Sequence, residues 1–129
     1  MRDHTKLRAF VLSDEMVLLI YRVSIGFPKD EIYGLTSQIR RATISIPSNI
    51  AGGQRRGHRA EYVQFIRIAY GSGAELETQL LIALDIGYLN KDSYQKLDIL
   101  LEEIMRMINK LLQALNLSLI HISEPTRPY

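Results

Sequence analysis

Between Tyr94 and Leu115 the apolar residues fall at alternating steps of three and four: Tyr94, Leu97, Leu101, Ile104, Ile108, Leu111 and Leu115. A helix turns once in about 3.6 residues, so this rhythm gathers all of them on one stripe. A strand would scatter them over both faces. The same rhythm runs through Tyr62, Ile66, Ala69, Gly73, Leu76, Leu80, Ala83 and Gly87, and again through Ile32, Leu35, Ile39, Ala42, Ile46 and Ile50. A first segment, with Leu7, Phe10, Val11, Val17, Leu18, Tyr21 and Ile25, is less regular. No stretch sustains a period of two, so the chain is expected to be all-α.

The breaks between these segments fix the architecture. Gly26-Phe27-Pro28 closes the first helix, and Pro28 with Asp30 and Glu31 is expected to open the second, acids at its positive end. Gly52, Gly53 and Gly57 weaken the end of the second. Gly87-Tyr88-Leu89-Asn90 closes the third, and Asn90 or Asp92 caps the fourth. Connections this short make neighbours antiparallel, which predicts an up-down-up-down four-helix bundle. Pro47 predicts a kink in the second helix, because an interior proline removes a hydrogen bond and costs about 3 kcal/mol. Gly71 and Gly73 each cost about 1 kcal/mol against alanine, and an inward glycine predicts a close helix crossing.

Composition narrows the function classes. With 129 residues, 47% of them hydrophobic and 23% charged, the chain suits one domain with a real core. It has no cysteine, hence no disulfide framework and no thiolate chemistry, as suits a reducing cytoplasm. Its charged start does not read as a signal peptide. The longest apolar run, Met16 to Tyr21, falls far short of the ~20 residues a membrane span needs.

The helical rhythm stops after Asn116. Leu117 through Arg127 looks like the conceptual translation of a transposase adapter used in sequencing libraries. Residues 1–116 are therefore expected to form the bundle, and residues 117–129 to be a non-native, disordered tail.

Charge is the strongest local signal. Arg40, Arg41, Arg55, Arg56, Arg59 and Arg67 face a single acid, Glu61, giving +5 between residues 40 and 67. Arginine presents a planar fork of donors that matches phosphate or carboxylate. Arg40, Arg55, Arg56, His58, Arg59 and Arg67 are thus candidate nucleic-acid contacts. A solvated loop, or salt bridges between subunits, would account for the same residues. A polar row, Gln38, Arg41, Ser45 and Asn49, lines one face of the second helix; Ser72, Glu75 and Gln79 line the third. We expect a structural polar network of Gln38, Arg41, Ser45, Asn49, Ser72 and Glu75, in which Arg41 and Glu75 pair across a helix or subunit contact. No nucleophile has an evident base. His4 and His58 lack partners at metal-ligand spacing, so neither enzyme chemistry, a cofactor nor a metal is expected.

Two blocks carry a resemblance. Phe27-Pro28-Lys29-Asp30-Glu31-Ile32-Tyr33-Gly34-Leu35-Thr36-Ser37-Gln38-Ile39-Arg40-Arg41-Ala42 leads to Ser45-Ile46-Pro47-Ser48-Asn49-Ile50-Ala51. Ile68-Ala69-Tyr70-Gly71-Ser72 leads to Glu75-Leu76-Glu77-Thr78-Gln79-Leu80. Together they resemble the four-helix bundle proteins called 23S rRNA intervening-sequence proteins, over roughly residues 7 to 115. The resemblance implies a bacterial, cytoplasmic homopentamer. It also implies kinship with the accessory variability proteins of diversity-generating retroelements, which bind nucleic acid and a reverse transcriptase. Gly52-Gly53 departs from the family's usual Glu-Gly at this point. The expected function is an RNA- or DNA-binding accessory factor; the alternative is a protein-interaction scaffold.

Overall fold

The computed structural model describes the backbone of residues 3–52 and 59–123 and the side chains of residues 4–52 and 60–116. Four helices make up the described chain: α1 (Asp3–Ser24), α2 (Leu35–Gly52), α3 (Arg59–Asp85) and α4 (Lys91–Ser123). A 3-10 turn, Lys29–Glu31, lies between α1 and α2. Each helix packs on its sequence neighbour, and α4 returns to α1; across the diagonal, Lys6 of α1 reaches the Tyr62 ring of α3, its Nζ 5.2 Å from the ring centre. That is an up-down four-helix bundle.

α4 behaves as its spacing dictates. Leu97, Leu101, Ile104, Ile108, Leu111 and Leu115 are all buried, and Tyr94 packs on the core's edge. Its start is fixed by Asn90, whose Oδ1 accepts the Ser93 N–H at 2.8 Å. α3 ends on Gly87, the one glycine with positive φ (87°) among the described residues. Tyr88 N–H donates to Ala83 O at 2.8 Å and Gly87 N–H to Leu84 O at 3.1 Å, the closing pattern that a left-handed glycine permits. Gly87 therefore serves the turn and is exposed, not part of the core stripe. The rest of the α3 stripe, Tyr62 through Ala83, is buried.

Gly73 and Gly71 differ. A Cβ at Gly73 would collide with the Met105 sulfur of α4, whereas one at Gly71 would meet open space. Close crossing needs the first and not the second. α2 runs continuously through Pro47, which is buried.

Three expectations need correction. The second helix does not open at Pro28: Lys29–Glu31 forms the 3-10 turn and α2 begins at Leu35. Glu31 supplies its cap from outside, Oε1 accepting the Leu35 N–H at 3.1 Å. Ile32 is consequently exposed.

The second correction concerns α1. Its core residues are Ala9, Leu12, Met16 and Ile20, whereas Leu7, Val11, Leu18 and Tyr21 are exposed, as is Ile25 just beyond it. At about 100° per residue, the exposed set forms a stripe about 80° wide, opposite the buried one. The irregular pattern was two stripes superposed. Lastly, α4 passes Asn116 and remains helical to Ser123. Residues 117–123 contain neither proline nor glycine, extension of a formed helix is cheap, and the helix stops two residues before Pro125.

Candidate nucleic-acid interface and the polar cleft

Six residues, 53–58, join α2 to α3; Arg55, Arg56 and His58 lie among them, outside the described residues. Arg59 is the first residue of α3, its side chain likewise not described. The remaining arginines stand on different flanks. Arg40 turns toward α1: its Nε donates to Ser24 Oγ at 2.9 Å, and its guanidinium lies 4.5 Å from the Tyr21 ring centre. Both contacts are with neutral groups, so they orient the cation and leave its charge intact. Two adjoining clefts of about 370 and 390 Å³ flank it, with Ile32 and Thr36 common to both. Arg67 is exposed on α3, and Arg41 is exposed on α2, where it lines the first of these clefts together with Arg40. Arg40 thus turns toward α1, while Arg41 also lines a cleft toward α3.

Arg8 pairs with Glu103 at 3.4 Å, largely exposed. Such a pair contributes little, about 0–1 kcal/mol. None of Arg40, Arg41 and Arg67 is matched by a carboxylate among the described residues.

Arg41 faces a cleft of about 460 Å³ between α2 and α3. Its floor is small and hydrogen-bonded: Ser72 Oγ donates to Ser45 Oγ at 2.7 Å, and Asn49 Nδ2 donates to Ser45 Oγ at 3.0 Å and Ser45 O at 2.8 Å. Three of the six polar residues expected to interact therefore do. The other three, Gln38, Arg41 and Glu75, line the same wall or its opposite without any hydrogen bond between them. Arg41 and Glu75 do not pair within the chain. Both are exposed, so neither demands a partner in the way a buried charge would.

Gln79 completes the cleft. It is only 7% exposed, and its Oε1 is buried with no hydrogen-bond partner. A buried carbonyl left without a donor costs roughly 1–3 kcal/mol. The α3 row of Ser72, Glu75 and Gln79 placed this residue on the right face, but its burial follows only from the packing of α2.

A second polar constellation carries no sequence signal. Tyr88, from the α3–α4 turn, donates its hydroxyl to Glu31 Oε2 at 2.8 Å and packs its ring 5.4 Å from Phe27. The Leu35 amide and then the Tyr88 hydroxyl hold the Glu31 carboxyl below its ordinary value, against a small opposing effect of burial. Tyr88 is raised, first by that hydrogen bond. Tyr94 is raised chiefly by burial, then by Asp98, Glu77 and Asp85.

Among the described residues no three His, Asp or Glu side chains group to hold a metal ion. No helix there is long and apolar enough to cross a membrane.

The sequence profile of the 23S rRNA-intervening sequence proteins matches residues 5–110. No protein of curated function shows significant similarity. Among solved structures, the chain is similar to a protein of unknown function of the S23 ribosomal protein family from Bacteroides thetaiotaomicron. The two share 18% identity at a TM-score of 0.77, over 84% of this chain and 98% of the other. That likeness supports the fold.

Proposed function

Because the chain belongs to the 23S rRNA-intervening sequence protein family, we propose that it is a non-enzymatic, self-associating helical bundle that binds RNA or DNA through arginines. One observation carries this reading: Arg40, Arg41 and Arg67 meet no carboxylate among the described residues. Their charge stays available to phosphate. Arg55, Arg56 and Arg59, where α2 gives way to α3, add to it. The proposed contacts are Arg40, Arg55, Arg56, His58, Arg59 and Arg67.

The outward stripe of α1 supports self-association. Exposed apolar residues scattered singly are ordinary, but Leu7, Val11, Leu18, Tyr21 and Ile25 share one stripe of α1 broken by Asp14 alone, and such a stripe suits an interface. A ring of five copies, as the family resemblance implies, would multiply weak phosphate contacts. The protein would work in the bacterial cytoplasm, a reverse transcriptase being a further candidate partner.

The test is the salt dependence of binding to a labelled single-stranded RNA. Affinity should fall steeply between about 50 and about 200 mM salt. The triple change Arg55→Ala, Arg56→Ala and Arg59→Ala should lower the log–log slope by about 0.7 for each phosphate that is no longer neutralised. Unchanged affinity in both comparisons sinks the reading. The α1 stripe equally favours a protein-interaction scaffold, which predicts a defined partner that persists after nuclease treatment.

A further inference from the structure

We propose that the cleft between α2 and α3 is a binding site for a guanine base, with Arg41 on one edge of the base and Glu75 and Gln79 on the other. The inference rests on the nucleic-acid reading for the source of the base. Its chemistry comes from the cleft alone.

Arg41 and Glu75, opposite charges on adjacent helices, line the same cleft without closing into an ion pair. Gln79, one turn along α3 from Glu75, lines the same cleft with a buried carbonyl oxygen that no donor reaches. The cleft therefore presents a fork of N–H donors on the α2 side and acceptors on the α3 side, all unused within the chain. Its floor is already hydrogen-bonded within the chain. Ser45 Oγ accepts from both Ser72 and Asn49, so its lone pairs are not open to a ligand's donors. Ala42, Ser45 and Ser72 are small, which leaves room for a flat group.

The complementary ligand needs two adjacent acceptors on one edge and two adjacent donor atoms on another. Guanine has both: O6 and N7 accept a guanidinium fork, and N1–H and the N2 amino group donate. Adenine sets its N6 amino donor beside N7, where it would meet the donors of Arg41. Cytosine and uracil have no edge with two adjacent donor atoms. Unpaired bases of single strands are read on these edges, whereas a duplex hides the N1 edge. A volume of about 460 Å³ accommodates one base.

The test uses the full chain and labelled oligouridine strands carrying one central guanine. In matched strands the guanine is replaced by inosine (no N2 amino group), 7-deazaguanine (no N7 acceptor) or adenine. Guanine should bind best by fluorescence anisotropy, and each replacement should weaken binding about tenfold. Glu75→Ala and Gln79→Leu should erase that preference. Arg41→Lys should erase it while keeping strand affinity, because lysine keeps the charge and loses the fork. Glu75 is exposed, so its variant carries the test if Gln79→Leu does not fold by circular dichroism.

Equal affinity for all four strands, or a guanine preference that survives Glu75→Ala, overturns the site. Strand binding without base preference removes the cleft and leaves the nucleic-acid reading standing. Should no strand bind, ligand-observed NMR with GMP and AMP separates the two ideas. GMP-selective binding then upholds the cleft with a free nucleotide as its ligand and removes the nucleic-acid reading. Silence from both nucleotides overturns the site.

Discussion

α1 and α4 lie side by side in the bundle and contribute similar rows of buried residues, yet their outer faces are opposites. α4 turns Asp92, Lys96, Glu102, Arg106 and Lys110 to water, and Ile99 is its one large exposed hydrophobe among the described residues. α1 turns out Leu7, Val11, Leu18 and Tyr21, with Asp14 the charge in their midst. A helix with one apolar face needs one neighbour surface. A helix with two leaves one uncovered by the other described helices, as α1 does. Apolar spacing thus locates a face without saying what lies against it.

The largest expected effect comes from α4. Ile104→Ala or Ile108→Ala removes a fully buried side chain, and should cost about 2–5 kcal/mol by chemical denaturation. Leu18→Ala, at an exposed position, should stay within about 0.5 kcal/mol once subunits are dissociated. Equal losses at the two sites would erase the contrast between the helices.

Assembly sharpens it. The double change Val11→Glu and Leu18→Glu should shift light scattering to the monomer mass with helix content preserved, since charges in an apolar interface are costly to bury. An unchanged mass would place any interface elsewhere.

Smaller effects probe how α3 meets α4. Gly71→Ala should raise stability by up to about 1 kcal/mol through helix propensity alone, because nothing lies near the new methyl. Gly73→Ala should forfeit that gain, because Met105 must move. Thermal melts in which both variants gain equally would mean that this crossing is loose.

The end of the bundle should respond to acid. The Leu35 amide and Tyr88 hydroxyl hold the Glu31 carboxyl low, so its contribution is present above the ordinary carboxylate range and is lost as pH falls through its folded value. Tyr88 is raised, so its contribution is present below the ordinary phenol range and fades as pH climbs through its folded value. Melting temperatures followed from about pH 6 to about pH 3 should fall less in Glu31→Gln than in the parent. Parallel curves would deny the Glu31 contacts any role in stability.

The bundle was legible because three of its four helices carry one apolar stripe each, and because Gly87 and Asn90 end and begin helices by local chemistry alone. Local rules also placed Ser45, Asn49 and Ser72 on facing rows. They misjudged Ile32, because the cap that delays α2 comes from Glu31 held by Tyr88, fifty-seven residues away. They missed the contact of Arg40 with α1 for the same reason.

By itself, then, the sequence determined the helices, their antiparallel order and the arginine excess, all properties of spacing and composition within a few turns. Only the tertiary structure decided which α1 stripe faces inward, which glycine a neighbour requires, and that Gln79 is buried without a donor. Those outcomes depend on how distant helices share one limited interior, and side chains compete for that space only once the helices have met.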